Sequence, residues 1–379
     1  MSTSEVQVRS QRGDGAHRRC CGIAVDLTVA AIPFYFGSME AERRRLAARA
    51  AVSGPTPNDY ERDDTLASLT MGVISLVTPF AARAVRARVP KRVLFGVAGA
   101  AAGATVAADR LARRSGRVGR IARKVARVGG PTAVASGYVA TAMSVATWGA
   151  PARQWALRGE RRDLGTGPLA WAVAIVGWDF IYYWNHRFMH EVRAQWAHHV
   201  VHHSSERYNL STALRQPVSD LFGIFVPYGL LSRAGVRPTI LEQAGAVNLL
   251  YQYWIHTDTI RSLGKGEEVL NTPSHHRVHH GSNPQYIDRN HGSFLILWDR
   301  LFGTFEREDE PVRYGLTKNV GSYNPAIIAT HEYKDMFRDI ASSTTWRDRL
   351  GFALRGPGWA YERHRRHGVV GTAEEAAPA

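Results

Sequence analysis

Histidine is concentrated in one part of this 379-residue chain: twelve of its sixteen histidines lie between His186 and His291. Most fall into tight groups spaced three or four residues apart, and side chains at that spacing lie on one face of a helix. Each group can therefore direct two or three imidazoles at a common point. Imidazole binds iron, zinc and copper, and nine such nitrogens are too many for one ion. The sequence predicts a helical core that binds two metal ions through His186, His190, His199, His202, His203, His256, His276, His279 and His280.

Three further polar residues of this region are the candidate catalytic residues. Asp179 lies seven residues before His186, so it occupies the same helical face and can orient a ligand imidazole through its second nitrogen. The alternative for Asp179 is a helix-end or interhelical hydrogen bond. His275 directly precedes a predicted ligand, and consecutive helical positions point about 100° apart. We therefore expect His275, like His198, to support the ligands or to be a polar neighbour, and Asn290 completes the candidate set.

The cysteines exclude several other kinds of site. Cys20 and Cys21 are the two cysteines of the chain, and they are adjacent. Zinc ribbons and iron-sulfur clusters need thiolates at other spacings, and a disulfide framework needs more cysteines.

Apolar stretches indicate that the fold is all-α and that several helices cross a membrane. Many are rich in glycine and alanine, which allow close helix packing. The mean hydropathy of −0.25 includes arginine-rich tails and loops and does not exclude spans. The candidate spans are 23–37, 65–80, 131–150, 167–184 and 218–231, with a weaker one at 93–108.

The distribution of positive charge predicts on which side of that membrane the histidines lie. The formal net charge is +15, and the excess lies beside the apolar stretches, at 43–45, 83–92, 110–127 and 158–162. Arginine and lysine beside membrane helices face the cytoplasm and its anionic lipids. We therefore expect an integral membrane protein with a cytoplasmic catalytic region. A nucleic-acid partner is not expected because no RNA- or DNA-binding motif is present, and the polar, basic start of the chain has no signal-peptide pattern.

Composition divides the chain into five parts. Residues 1–21 are a basic tail and 372–379 an acidic, alanine-rich one, and both are predicted to be disordered. Residues 22–166 are predicted to form membrane helices with basic cytoplasmic segments, 167–305 the histidine-rich catalytic domain, and 306–371 a helical extension. The basic stretch from Arg83 to Gly130 has two interpretations, an amphipathic helix on the membrane surface or a solvated linker.

The histidine motifs resemble those of the fatty acid hydroxylase and sterol desaturase superfamily of membrane di-iron enzymes. The resemblance is strong over about 167–305 and rests on 184–190, 199–205 and 275–281. The segments 208–216, 249–256, 271–276 and 297–305 resemble the alkylglycerol monooxygenase branch, which cleaves glyceryl ethers. Upstream, 31–40 and 64–72 are similar to the first membrane helices of that branch. Gln252 matches the branch, whereas the basic insertion at 83–130 and His291, in place of an aromatic residue, depart from it.

The resemblance implies two iron ions, dioxygen and a lipid substrate. Hydroxylation of the carbon next to an ether oxygen gives a hemiacetal, which collapses to a fatty aldehyde and glycerol. Electrons in the branch come from tetrahydrobiopterin, although a ferredoxin or reductase is an alternative partner. Arg215, Gln252 and Asn271 are the candidate substrate-binding residues, and Arg215 and Asn271 can instead brace the metal ligands.

Two other functions remain open from the sequence. The first is a hydroxylase or desaturase of a sterol, a carotenoid or a fatty acyl chain, supplied by a ferredoxin-type donor. The second is a non-catalytic membrane protein that binds zinc for structure or transport. Nine histidines in these groupings do not suit a closed tetrahedral zinc site.

Overall fold

The computed structural model describes residues 27–217 and 224–366, and these residues form helices joined by turns and loops. Among them no β-strand is present, and the one isolated bridge joins Leu270 to Leu295. The all-α prediction is confirmed for this part of the chain. Short 3-10 or π turns lie at Trp155–Gly159, Glu160–Arg162, Thr212–Leu214 and Gly264–Glu268. The α-helices are α1 Leu27–Ala30, α2 Ile32–Ser53, α3 Arg62–Arg88, α4 Lys91–Leu111, α5 Gly116–Trp148, α6 Pro151–Gln154, α7 Pro168–Glu191, α8 Arg193–His203, α9 Gly229–Ala234, α10 Pro238–Trp254, α11 Pro273–His279, α12 Leu297–Phe302, α13 Pro325–Ser342, α14 Trp346–Leu354 and α15 Pro357–Arg366.

Several helices begin at residues that suit a helix start. Proline occupies the first turn of α7, α10, α11 and α13, where its missing N–H costs nothing. The side chain of Asn324 accepts from the N–H of Ala326 at the start of α13, and Thr345 does the same for Asp348 in α14. After α9 the chain turns at Gly235, whose φ of +115° favours glycine.

Four helix ends meet where the histidines lie. α7 ends at Glu191, and the extended Val192 reverses the chain so that α8 packs back against it. α10 ends at Trp254, two residues before His256, and the short α11 carries the last histidine group. The helices α7, α8, α10 and α11 thus supply the predicted ligands from their C-terminal turns or just beyond.

Apolar packing fixes these helices from both sides. α7 packs on α10 through small and branched residues that include Ala170, Ala174 and Ile240. On the other side, α8 packs on α13 and α14 through Ala194 and Ile340, and α5 joins this layer. Burial of each branched aliphatic side chain contributes roughly 1.5–3 kcal/mol, so the C-terminal helices stabilise the position of α8.

The basic stretch at 83–130 is divided among three helices and is not a solvated linker. It contains the end of α3, all of α4 and the first part of α5, and α4 and α5 pack against each other as an antiparallel hairpin. The contact uses small side chains, Ala108 of α4 with Ala122 and Ala126 of α5, while the arginines between Arg110 and Arg127 are exposed. Small residues let two helices approach closely, which explains why this arginine-rich sequence packs as a hairpin.

One helix of the described residues, α4, is long and apolar enough to cross a membrane. It contains the weaker candidate at 93–108, and 11% of its most apolar window is buried inside the protein. The stretches 65–80, 131–150 and 167–184 lie in α3, α5 or α7, which fall short because polar or small residues dilute them. The candidate at 23–37 lies partly outside the described residues. So does 218–231, whose described end is a loop and the start of the short α9. The tails 1–21 and 372–379 lie outside them entirely.

Candidate metal centre

The structure brings the nine predicted metal ligands into two groups. The side-chain nitrogens within each group lie within 4.8 Å of one another, and all nine histidines are buried. Each group draws on α8 and α11, so the two groups share a wall. The first group is His186, His190, His199, His203 and His279, and the second is His202, His256, His276 and His280.

In the first group the imidazoles face each other through their Nε2 atoms. The Nε2 of His199 lies 3.0 Å from that of His186 and 3.1 Å from that of His203. The Nε2 atoms of His190 and His279 are buried and have no hydrogen-bond partner within the described residues. The five nitrogens therefore converge, and there are too few N–H donors among them for each nitrogen to have a hydrogen-bond partner.

The second group has the same construction. The Nε2 of His256 lies 3.1 Å from that of His202 and 2.9 Å from that of His276. The Nε2 of His280 is buried and lacks a partner in the described part of the chain.

The other ring nitrogen of several ligands donates to a backbone carbonyl. The Nδ1 of His202 is 3.3 Å from the carbonyl oxygen of Arg215, and the Nδ1 of His256 is 2.7 Å from that of Gln252. A carbonyl oxygen accepts but cannot donate, so each of these Nδ1 atoms carries the hydrogen. In a neutral ring this leaves a lone pair on Nε2, which is the form that binds a metal.

The pair His202 and His256 is the sharpest test of whether these residues fit metal ions. Both rings hold their hydrogen on Nδ1, so two lone pairs oppose each other at 3.1 Å. That contact is repulsive unless a cation lies between the nitrogens. Nitrogens bound about 2.1 Å from one ion at a right angle lie about 3 Å apart, so the spacing suits a shared ion.

The surroundings keep these rings neutral. Burial lowers the pKa of His202 to about 4, and it lowers the pKa of His256, His276 and His280 well below the usual 6.5. Neighbouring imidazoles add to the effect because two positive rings would repel each other. The second group therefore presents uncharged imidazoles at neutral pH.

The loop at 288–292, a few residues before α12, braces the first group. The carbonyl oxygen of His291 accepts from the Nδ1 of His186 at 2.8 Å, and that of Arg289 accepts from the Nδ1 of His279 at 2.9 Å. Asp288 places a carboxylate oxygen 3.4 Å from the Nδ1 of His190. Asp299 fixes the loop, because its carboxylate accepts from the N–H groups of His291 and Gly292 at 2.7 Å each.

Two acidic residues from the start of the chain reach the second group. Asp64 of α3 forms a 2.6 Å ion pair with Arg215, whose carbonyl oxygen accepts from His202. Glu42 of α2 accepts from the hydroxyl of Thr257, the residue after His256. Both carboxylates are almost fully buried.

The candidate catalytic residues lie beside the histidine groups and not in them. The carboxylate of Asp179 accepts from Ser293, from the N–H groups of Phe294 and Leu295 and from the indole of Trp298, and no histidine is among these partners. The expectation that it orients a ligand imidazole is not what its contacts show. Its position two turns before His186 points it at the segment between the loop and α12, so it forms the interhelical bond of the alternative.

His275 and Asn290 are linked to each other. The Asn290 amide donates to the carbonyl oxygens of His275 and Glu306 at 3.1 and 2.8 Å. Asn290 adopts a φ of +56°, a conformation that asparagine tolerates better than most residues. The ring of His275 stacks edge-on to Phe305 instead of joining the ligand groups. These contacts indicate that Asn290 stabilises the loop.

The candidate substrate-binding residues differ in what remains free for a ligand. Arg215 has 1% of its surface exposed, and its guanidinium donates hydrogen bonds to Asp64, Ser68 and Ser204. It therefore braces the site. The amide of Gln252 donates to Asn248 at 2.5 Å. Asn271 donates to the carbonyl oxygen of Gly292, and its own Oδ1 is buried without a partner in the described residues.

Sequence reasoning missed the supports of the histidines. Glu42, Asp299 and the carbonyl groups of Arg289 and His291 carry no motif, because a backbone oxygen looks the same in every residue. His291 departs from the pattern of the branch, and the centre of its ring lies 4.9 Å from that of His190. A buried Nδ1 of His291 lacks a partner among the described residues.

Comparison with known proteins agrees with this site. Residues 171–304 match the family model of fatty acid hydroxylase. Eleven of the twelve histidines between His186 and His291 lie in or beside the segments 184–190, 199–205, 249–256 and 275–281, which resemble that superfamily. Residues 171–304 therefore resemble a fatty acid hydroxylase domain. The resemblance to that superfamily is confirmed.

Several curated proteins are similar to this chain. An alkylglycerol monooxygenase from Homo sapiens is 43% identical over 208 residues, which are 55% of this chain and 46% of the relative. One from Danio rerio is 46% identical over 189 residues, 50% of this chain and 42% of the relative. An ornithine lipid hydroxylase from Rhizobium tropici is 29% identical over 147 residues, 38% of this chain and 44% of the relative. The chain thus spans less than half the length of these relatives, and no solved structure matches it.

Proposed function

We propose that this protein is an iron-dependent monooxygenase of membrane lipids and that its substrate is an O-alkylglycerol. The observation that carries the proposal is the pair of buried histidine groups, five and four imidazoles whose ring nitrogens lie within 4.8 Å of one another in each group. The similarity to alkylglycerol monooxygenases supports the substrate.

The two groups would each hold one iron ion. When bound, two ferrous ions supply the activation of dioxygen that oxidises an unactivated C–H bond. The protein contributes neutral ligands in fixed orientations, because carbonyl oxygens hold the Nδ1 hydrogens of His186, His202, His256 and His279. Burial of every ligand excludes bulk water from the centre.

The reaction inserts one oxygen atom of dioxygen into the C–H bond next to the ether oxygen. The other atom leaves as water, with two electrons and two protons from a reductant. The hemiacetal then breaks its bond between carbon and ether oxygen to give a fatty aldehyde and glycerol. Tetrahydrobiopterin is the proposed reductant, and a ferredoxin or reductase is the alternative.

Asn271 is the residue that we assign to the glycerol end of the substrate. Its amide is held by Gly292, while the buried Oδ1 is available to accept from a hydroxyl. A buried acceptor without a partner costs about 1–3 kcal/mol, and a substrate hydroxyl would remove that cost. Gln252 supports the site through its backbone carbonyl oxygen, which accepts from the Nδ1 of His256.

We further propose that the protein is integral to the membrane and that the catalytic domain, about 167–305, lies on the cytoplasmic side between the N-terminal helices and the helical extension at 306–371. α4 supports a span, and exposed apolar side chains such as Phe34, Leu76 and Phe95 continue the apolar surface on α2, α3 and α4. The arginines beside these helices favour the cytoplasmic side for the histidines.

The topology has a direct test in intact cells. A reporter cysteine at the exposed Arg158, in a chain lacking Cys20 and Cys21, should not react with an impermeant thiol reagent until the cells are opened. Reaction outside intact cells would place this segment, and the catalytic domain with it, on the opposite side.

The substrate assignment is tested with purified, iron-loaded protein and an alkylglycerol in ¹⁸O-labelled dioxygen. Mass spectrometry should detect a fatty aldehyde and unlabelled glycerol, with tetrahydrobiopterin and a ferredoxin system supplied in separate reactions. A sterol and a free fatty acid are the comparison substrates. Hydroxylated sterol or acyl products, with no aldehyde from alkylglycerol under either donor, would refute the ether substrate.

The similarity to an ornithine lipid hydroxylase favours a second candidate, hydroxylation of another membrane lipid without ether cleavage. The same assay with an ornithine lipid separates the two, because the product would keep all its carbon atoms and gain one oxygen. A closed zinc site is disfavoured because the first group offers five imidazoles, and structural zinc takes four ligands.

A further inference from the structure

We propose that Glu42 and Asp64, from helices outside the fatty acid hydroxylase domain, are positioning residues for the second histidine group, His202, His256, His276 and His280. The inference rests on the proposed metal binding but concerns a different part of the chain. It assigns α2 and α3 a role in the metal centre in addition to any role in the membrane.

The first connection runs from Asp64 to His202. Asp64 holds Arg215 by a 2.6 Å ion pair and also accepts from the hydroxyl of Ser205 at 2.7 Å. The guanidinium of Arg215 donates to the hydroxyls of Ser68 and Ser204 as well. With the side chain fixed at several points, the carbonyl oxygen of Arg215 is held where it accepts from the Nδ1 of His202.

The second connection runs from Glu42 to His256. One carboxylate oxygen of Glu42 accepts from Thr257, and the other accepts from the hydroxyl of Tyr60 at 2.7 Å and the N–H of Leu210 at 2.8 Å. Thr257 follows His256 directly, so Glu42 fixes the chain as it leaves this ligand. A carboxylate with three donors has a defined position even though it is buried.

Both connections end at the two rings whose lone pairs oppose each other. His202 and His256 depend on their Nδ1 bonds to keep Nε2 aimed at the same point. A rotation of either ring would move one ligand away from the shared ion. The first group has no such dependence, because its braces at Asp288, Arg289 and His291 lie inside the matched domain.

This difference predicts selective loss of one ion. Asp64→Asn and Glu42→Gln keep the size of each side chain and remove its charge. Loss of a support for a metal-binding histidine weakens affinity about 10- to 100-fold, so the second group should lose its ion at limiting iron while the first retains it. Full-length protein should then contain two ions per chain in the parent and one in each variant, measured by elemental analysis.

The chain supplies matched controls one or two residues away. Asp63→Asn on α3 makes the same chemical change at an exposed position, and Glu40→Gln on α2 makes it at a half-exposed position where the carboxylate pairs with arginines of its own helix. Both should retain two ions. A milder third variant, Thr257→Val, removes the hydroxyl that reaches Glu42 and creates no unpaired charge, so it serves if Glu42→Gln fails to fold.

Double variants identify which group loses its ion. His190→Ala disrupts the first group, and His280→Ala disrupts the second. Asp64→Asn combined with His190→Ala should leave no tightly bound ion, whereas Asp64→Asn combined with His280→Ala should leave one. Equal loss from both groups, or two ions at unchanged affinity in Asp64→Asn and Glu42→Gln, would overturn the proposal.

Hydrogen exchange keeps the test independent of metal binding. In metal-free protein, Asp64→Asn should speed exchange in 202–215 and Glu42→Gln in 255–258, while 186–190 and 288–291 stay as protected as in the parent. If the parent binds no metal but exchange changes in this pattern, the proposed function fails and the positioning role stands. If exchange rises equally in all four segments, the residues act on general stability and the positioning role is wrong.

Discussion

Acidification of the metal-free protein from pH 8 to pH 5.5 should lower its stability, because its buried histidines are neutral in the folded state. Burial lowers the pKa of His198, His202 and His275 to about 4 each, against an unfolded value of 6.5. A group whose folded pKa is lowered stabilises the fold fully above its unfolded pKa, and this stabilisation is lost as the pH falls below 6.5 toward 4. The buried neutral histidines therefore lower the free energy of unfolding as the pH falls.

The magnitude follows from these three residues. Between pH 8 and pH 5.5, a histidine with these two pKa values loses about 1.4 kcal/mol of stabilisation. Three of them lose about 4 kcal/mol, and the remaining buried ligands add to this amount. Asp299 opposes the loss: burial raises its pKa to about 7, so it takes up a proton over the same range and restores about 2 kcal/mol. Domains have a total stability of about 5–15 kcal/mol, so a net loss of about 2 kcal/mol is measurable.

The assay is thermal unfolding of detergent-solubilised, metal-free protein followed by circular dichroism from pH 8 to pH 5.5. At roughly 2 °C per kcal/mol for a large domain, the midpoint should fall by about 4 °C. His275→Gln should reduce that fall by about 3 °C, because it removes a group that loses about 1.4 kcal/mol. An equal midpoint at the two pH values, or a lower one at pH 8, would refute the reasoning.

Three further outcomes are expected. Arg193→Met leaves Glu332 and Asp339 without the guanidinium that each contacts at 2.6 Å, so stability should fall by about 3–5 kcal/mol, measured by thermal unfolding. Gly235→Ala should cost about 1–3 kcal/mol, because φ is +115° and a Cβ would lie 2.3 Å from the carbonyl oxygen of Arg162; an unchanged midpoint would contradict this. Removal of metal by a chelator should lower the midpoint, since an ion at a thousandfold excess over its Kd contributes about 4 kcal/mol, and ferrous iron added without oxygen should restore it.

The spacing of the histidines was enough to predict eight of the nine residues that the structure brings together, and His256 stands alone in the sequence. Residues at i, i+3 and i+4 share a helix face whatever the rest of the fold does, so His199, His202 and His203 could be placed on α8 before any packing was known. The division into two groups was not predicted, because the members of two of the three motifs separate. His202 joins His256, whereas His199 and His203 join the other group.

Long-range contacts account for what the sequence did not reveal. Arg215 and Asp64 are 151 positions apart, and no local pattern indicates that they pair. Asp179 has the right helical phase for a ligand support, yet phase alone does not say which neighbouring segment it meets. The stretch at 83–130 was misjudged because its arginines dominate the composition, while the alanines that pack α4 on α5 are few and carry no distinctive signal.

The supports of the two groups also bear on how the chain can be divided. A fragment limited to 167–305 would keep all nine histidines and the loop that braces the first group. It would lack Asp64 and Glu42, leaving the guanidinium of Arg215 buried without its carboxylate. It would also lack Glu332 and Asp339, which hold Arg193 at the start of α8, the helix that carries three of the ligands. Because unpaired buried charges cost several kcal/mol each, the histidine motifs can define the domain by sequence while its metal centre depends on helices from both ends of the chain.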